Sequence, residues 1–210
     1  MMTVINELAC SRSRRDEVLN QELARRLAAG KDTAGIKELI DHLQDKNADI
    51  ANDSIKTIYE IGMIDPALIE SYAEDFVRLL TSRNNRMVWG AMITLSTIAS
   101  RQADRLMAHL DLIMKTTKSG SVITTDNGIK ILGLIGSVRS DYREAVTPFL
   151  LEHLRTCRPK EVPQHAESAL PAISKDNRDA FIAVINARVT DLTPGGLNRI
   201  KKVLKKAGSV

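Results

Sequence analysis

Residues 91–99 read AMITLSTIA, and three other nine-residue stretches share their pattern: SIKTIYEIG at 54–62, GIKILGLIG at 128–136 and AESALPAIS at 166–174. Each begins with a small residue, and the starts are 37, 37 and 38 residues apart. A large aliphatic residue follows four positions later and an isoleucine seven positions later, which is the spacing of one helix face. The pattern predicts four equivalent helices, each with a small residue where a neighbouring helix approaches closely.

The segments between these helices have apolar faces of their own, so each period predicts a helical hairpin with a first helix A and a second helix B. Asp65, which precedes a proline, is a good N-cap for one A helix, and Pro148 should kink another or delay its start. Ser13 and Asp16 predict the start of an N-terminal helix that ends at Gly30. Aromatic residues make up only 3% of the 210 residues, which favours packed helices over sheets.

A hairpin of this length, with this pattern on its second helix, resembles HEAT repeats over about residues 33–190. The resemblance implies an all-α fold, a right-handed α-α superhelix (a HEAT-like solenoid) of about five helical hairpins. Residues 1–32 are then expected to form N-terminal capping helices and residues 191–210 a basic C-terminal capping helix, because an array must cover its exposed core. HEAT units often have an arginine early in helix B, which this chain lacks, so no subfamily is identified.

The resemblance also implies a binding surface, because HEAT-like arrays have their B helices on the concave side. At 100° per residue, the repeat pattern indicates which B-helix positions point away from the core. Most are polar, but Trp89 and Ile93 occupy two of them one turn apart. An exposed pair of this kind would anchor a peptide or a helix. The alternative is that a side chain from another helix covers the pair, which would then be part of the protein core. The predicted binding residues are Trp89, Ile93, Asn52, Lys56, Arg86, Asp126, Lys130 and Gln164.

The basic residues of the chain concentrate near its C-terminal end. The formal net charge is +4, and the stretch RIKKVLKK at 199–206 holds five basic residues and no acidic one. Arg199, Lys202 and Lys206 form a cationic stripe that would contact phosphates or an acidic membrane surface. The same stripe would also suit the solvent side of a capping helix. The rest of the chain is nearly neutral, which argues against a nucleic-acid interface along its whole length.

The sequence has none of the local motifs of phosphate binding, dinucleotide binding or nucleophilic catalysis. His153 and Cys157 lie four residues apart on one predicted helix and could share a metal ion, but two ligands do not define a site. We therefore predict no catalytic residue, no metal and no cofactor. Cys10 and Cys157 are not in a C-x-x-C pair, and no stretch reaches the ~20 apolar residues of a membrane span. These features predict a cytoplasmic protein with reduced thiols.

The function predicted from the sequence is a non-enzymatic scaffold that binds a peptide or protein on the concave B-helix face. One alternative is nucleic-acid binding, because DNA alkylation-repair glycosylases resemble this architecture and here Trp89 and Asp126 occupy equivalent positions in consecutive repeats. A second alternative is a lyase or chaperone for a chromophore or protein, as in HEAT-like phycobilin lyases.

Overall fold

The computed structural model describes residues 3–209, and it confirms the predicted all-α fold class. Twelve α-helices and no β-strand occur in this range. The chain divides into two compact units, residues 1–105 and 106–210. No helix in the described range combines the length and the apolar character needed to cross a membrane.

The first unit contains one leading helix and two helical hairpins. Their bounds are Val18–Ala29 (α1), Thr33–Asp41 (α2), Ala48–Ile64 (α3), Ala73–Leu79 (α4) and Asn85–Ile98 (α5). The hairpins are α2 with α3 and α4 with α5, and α3 packs against both α1 and α5. The leading helix α1 therefore contacts the B helix of the first hairpin, which matters for the surface described below.

The second unit contains three helical hairpins. The short helix Ala103–Met107 (α6) spans the boundary between the units, and the remaining helices are Leu110–Ser119 (α7), Val122–Gly136 (α8), Ser140–Thr156 (α9), Val162–Ala169 (α10), Arg178–Ala187 (α11) and Pro194–Ala207 (α12). The hairpins pair α7 with α8, α9 with α10 and α11 with α12. Within this unit α8 packs against α7, α9 and α10, and α12 packs against α10.

The core confirms the repeat pattern almost completely. All four small residues and all four isoleucines of the pattern are buried, as are three of the four large residues, while Leu170 is partly exposed. The requirement for a small residue is clearest at Gly128, where an added Cβ would lie 2.0 Å from the Thr117 hydroxyl oxygen on α7. Gly128 is therefore a place where α7 and α8 approach closely.

The predicted helix ends are only partly correct. Helix α1 ends at Gly30 as predicted, but Ser13 does not cap it, because Ser13 has a positive φ of 54° and ends the 3₁₀ turn Cys10–Arg12. Asp16 accepts a hydrogen bond from the backbone amide of Val18, the first residue of α1, and so lies nearer the start of this helix than Ser13 does.

Two prolines mark further differences from the predicted helices. Asp65 does act as an N-cap, but it opens the 3₁₀ turn Pro66–Leu68, and the α-helix of that hairpin begins only at Ala73. Helix α9 runs from Ser140 to Thr156 with Pro148 inside it, so the predicted late start at this proline is wrong.

Candidate functional site

Trp89 lies partly exposed on α5, beside one side chain from α3 and one from α5 itself. Its ring centroid is 6.2 Å from that of Tyr59 on α3, with the ring planes inclined at 52°. On α5 itself, the Arg86 guanidinium carbon lies 6.0 Å from the Trp89 ring centroid. Both contacts are favourable, and Ile93 one turn later is also partly exposed. Trp89 is therefore positioned by neighbours while part of its surface remains accessible.

The structure contradicts the outward position predicted for Lys56. The residue is only 4% exposed, and its Nζ lies 2.7 Å from the Glu17 carboxylate and 2.6 Å from that of Glu60. Burial alone lowers the pKa of Lys56, but hydrogen bonds to both carboxylates outweigh burial and raise that pKa above its ordinary value. The physical reason for the burial is α1, which packs on α3 and covers a face that the repeat pattern leaves open.

We expect Lys56→Ala to lower the free energy of unfolding by about 1.5 kcal/mol, because the change removes a buried aliphatic stem and two charge-assisted hydrogen bonds. The loss stays modest because Glu17 and Glu60 keep contact with water. Lys46→Ala, on the exposed loop before α3, should change the free energy by less than about 0.5 kcal/mol. Urea unfolding measures the free energy of unfolding of both variants. Equal losses in Lys56→Ala and Lys46→Ala would show that the ion pairs of the buried Lys56 do not contribute to stability.

A polar pocket of about 540 Å³ in the first unit adjoins Arg86 and Asn52, two of the predicted binding residues. The Asn52 side-chain oxygen accepts a hydrogen bond from the side-chain Nδ2 of Asn84 at 3.0 Å. The charged lining residues are Arg14, Arg15, Arg86, Asp16, Glu17, Asp49 and Asp53.

Several of these polar groups are already paired, and others are not. Asp16 pairs with Arg14, and Asp53 accepts from the Cys10 amide at 2.8 Å. Asp49 makes no ion pair with any other described residue, and Arg86 Nε is buried without a hydrogen-bond partner among them. The pocket therefore offers the unpaired carboxylate of Asp49 and the partly exposed guanidinium of Arg86, which lies 4.0 Å from Glu17.

The predicted binding residues of the second unit differ in their surroundings. Lys130 and Gln164 are exposed, as predicted. Asp126 is partly exposed, and its Oδ1 accepts a hydrogen bond from Nε2 of His165 at 2.8 Å. His165 is 0% exposed, because α10 packs against both α8 and α12. Asp126 thus supports a buried histidine.

His165 belongs to a cluster of three residues that their spacing in the sequence does not predict. Its Nδ1 lies 2.9 Å from His153 Nε2, and the Cys157 thiol lies close to both rings. Burial and the neighbouring His165 lower the pKa of His153 to about 4, whereas burial raises the pKa of the Cys157 thiol. The spacing of His153 and Cys157 was visible in the sequence, but the third member comes from another helix.

The basic helix α12 is partly neutralised by contacts within the second unit. Arg199 donates two hydrogen bonds to Glu167, at 2.9 and 2.6 Å, and these bonds lower the pKa of that carboxyl. Lys202 and Lys206 are exposed and line a surface pocket of about 560 Å³. Of the three predicted anion contacts, two are therefore accessible and one is engaged.

Neither a known family nor a curated protein matches the sequence. Among solved structures, a designed armadillo repeat protein in complex with the peptide (KR)4 is 13% identical, with a TM-score of 0.70 over 89% of this chain and 86% of that one. An engineered protein is 17% identical, with a TM-score of 0.68 over 99% and 98%. A computationally designed armadillo repeat protein for modular peptide recognition is 15% identical, with a TM-score of 0.62 over 98% and 95%.

These similarities establish the fold class and not the function, because the identities are low. The chain is an all-α helical-repeat solenoid. The HEAT subtype is a prediction that the armadillo neighbours do not confirm.

Proposed function

We propose that this chain is a non-enzymatic scaffold that binds a peptide or protein segment on its B-helix surface, centred on Trp89. Two of the similar solved structures are described by the peptides they bind or recognise, which supports this class of function. The observation that carries the proposal is the position of Arg86, whose guanidinium lies over the Trp89 ring and also lines the polar pocket. An apolar anchor and a polar recess are therefore continuous.

The chemistry of this surface suits an extended segment with one large apolar side chain. Trp89 and Ile93 would pack against that side chain, which is how aromatic hot spots contribute to binding. The Arg86 side chain is 39% exposed and its Nη2 lies 4.0 Å from the Glu17 carboxylate, so its outer nitrogens can donate to a peptide carbonyl. The amide of Asn52 can both donate to and accept from a peptide backbone, and Asp49 would attract a basic side chain.

The predicted contacts of the second unit belong to the same proposal. Lys130 and Gln164 are exposed on B helices of the second unit and would contact a partner segment bound to that unit. Lys56 leaves the set of direct contacts, because its ammonium group is occupied by two carboxylates. Asp126 is partly exposed, and its Oδ1 already accepts a hydrogen bond from the buried His165.

Nucleic-acid binding is the second candidate, favoured by the exposed lysines of α12: Lys201, Lys202, Lys205 and Lys206. Two of the cations that would strengthen this reading, Lys56 and Arg199, are already paired with carboxylates. We therefore favour the peptide. A salt-dependent gel shift with duplex DNA that Lys202→Ala abolishes would reverse this preference.

Selection from a random peptide display library tests the proposal. We expect selected peptides to bind in the micromolar range and to change the fluorescence of Trp89, the only tryptophan in the chain. Trp89→Ala should weaken binding at least tenfold, or about 1.4 kcal/mol, because it removes the apolar anchor. Calorimetry measures the affinity of this variant, which has lost the fluorophore.

The matched control is Lys115→Ala, an exposed position on α7, an A helix. This variant should bind the selected peptides like the wild type, and circular dichroism should show native helicity in both variants. The proposal is wrong if the library yields no binder, or if folded Trp89→Ala binds the selected peptides with unchanged affinity.

A further inference from the structure

Three side chains of metal-binding type converge in the second unit where α9 ends and α10 begins. His153 lies on α9, Cys157 directly follows it, and His165 lies on α10; the potential ligand atoms Nε2, Sγ and Nδ1 all lie within 4.8 Å of one another. We propose that these three residues bind one Zn²⁺ ion, with a fourth position open to water or to a partner's side chain. This proposal is independent of peptide binding.

Asp126 strengthens the proposal because it fixes the orientation of one ligand. A carboxylate oxygen only accepts hydrogen bonds, so the 2.8 Å contact with His165 requires the proton on Nε2. His165 Nδ1 then accepts a hydrogen bond from His153 Nε2, 2.9 Å away, so when zinc binds, the proton of His153 moves to its other ring nitrogen and both lone pairs face the ion. A carboxylate behind a metal-bound histidine is the usual outer-shell arrangement of zinc sites.

Only small movements separate this cluster from a tetrahedral site. Zinc–nitrogen bonds of about 2.0–2.1 Å at tetrahedral angles place two ligand nitrogens about 3.3 Å apart. The nitrogens of His153 and His165 are 2.9 Å apart and need to separate by about 0.4 Å. The sulfur should lie about 3.6 Å from each nitrogen, so it needs to move inward by about 1.2 Å at most, which rotation about the Cα–Cβ bond of Cys157 can supply without moving the backbone.

The electrostatics of the cluster also suit a divalent cation. Zinc binds histidine as the neutral imidazole and cysteine as the thiolate, so binding to this cluster releases the thiol proton of Cys157. The charges of this thiolate and the Asp126 carboxylate then balance those of the ion. Two imidazoles and one thiolate are a donor set typical of zinc.

Titration of the full chain with Co²⁺, after reduction and treatment with a chelator, tests the proposal through a spectroscopic signature. We expect one equivalent to bind and to give visible d–d bands together with a near-ultraviolet thiolate-to-cobalt charge-transfer band. Added Zn²⁺ should displace the cobalt, bleach these bands and raise the melting temperature of the protein.

Variants identify the ligands. Cys157→Ser should abolish the charge-transfer band and weaken binding at least tenfold, and His153→Gln should weaken it similarly. Asp126→Asn should keep the band but weaken binding about tenfold to a hundredfold, because it changes only the support of His165. Cys10→Ser, the matched control in the first unit, should leave both band and affinity unchanged.

Two results would overturn the assignment: absence of the charge-transfer band in the wild type, or a band of equal strength in Cys157→Ser. Far-ultraviolet circular dichroism of each metal-free variant separates loss of a ligand from loss of the fold. A variant that fails to fold is replaced by Cys157→Ala or His153→Asn, which remove the same ligand with a different packing change.

Discussion

Gly133→Ala is expected to lower the free energy of unfolding by about 3 kcal/mol. The added Cβ on α8 would lie 2.0 Å from the backbone carbonyl oxygen of Ser168 on α10. A backbone atom cannot rotate away as a side chain can, so the two helices must move apart by about 1 Å and loosen the packing around them. The higher helix propensity of alanine, about 1 kcal/mol, offsets only part of this cost.

Gly195→Ala is the matched control for this prediction. Gly195 lies in the first turn of α12, and an added Cβ would meet no atom within 4 Å. This variant should be neutral or slightly stabilising, by up to about 1 kcal/mol. Denaturant unfolding of both variants measures the difference, and comparable stabilities would show that α8 and α10 do not approach as closely as described.

Arg188→Ala is also expected to cost about 3 kcal/mol. The Arg188 guanidinium donates hydrogen bonds to the backbone carbonyls of Leu154, Arg155 and Cys157, at 2.7, 2.8 and 2.8 Å. These carbonyls belong to the end of α9, where the helix leaves acceptors unsatisfied and its dipole favours a cation. The Arg188 side chain is only 12% exposed, so water replaces the lost hydrogen bonds poorly.

Two variants separate this capping role from a general effect of charge. Arg155→Ala removes a side chain that is 52% exposed and 3.4 Å from Glu152, so it should change the stability by less than about 0.5 kcal/mol. Arg188→Lys keeps the charge but lacks the planar guanidinium, so its loss of stability should lie between those of Arg188→Ala and Arg155→Ala. Thermal unfolding of the three variants measures these losses, and equal losses for the two alanine variants would contradict the capping role.

Much of the fold could be predicted from the sequence because the repeat pattern reflects a packing rule within each hairpin. A small residue followed by large ones at helical spacing identified buried positions on α3, α5 and α8. The fourth copy of the pattern runs past the end of α10 at Ala169, so its buried Ile173 lies outside the helix that the pattern predicts. The helix ends were less predictable, because Asp65 can cap a 3₁₀ turn as well as an α-helix. The continuous helix through Pro148 depends on its packing against α8 and α11, which no local pattern contains.

The candidate site was less predictable because it depends on which helix covers which face. The burial of Lys56 results from α1, which lies outside the repeat pattern. The burial of His165 results from contacts of α10 with α8 and α12. The Tyr59–Trp89 contact and the histidine–cysteine cluster join residues from different helices. Sequence spacing alone could supply at most the pair His153 and Cys157.

Hydrogen exchange of the chain with and without a selected peptide locates the bound segment and so distinguishes Trp89 from α12 as its site. We expect slower exchange in the first half of α5, around Trp89, and on α3 near Asn52, with α12 unchanged. Slower exchange confined to α12, or none on α3 and α5 in a saturated complex, would contradict the proposed binding surface.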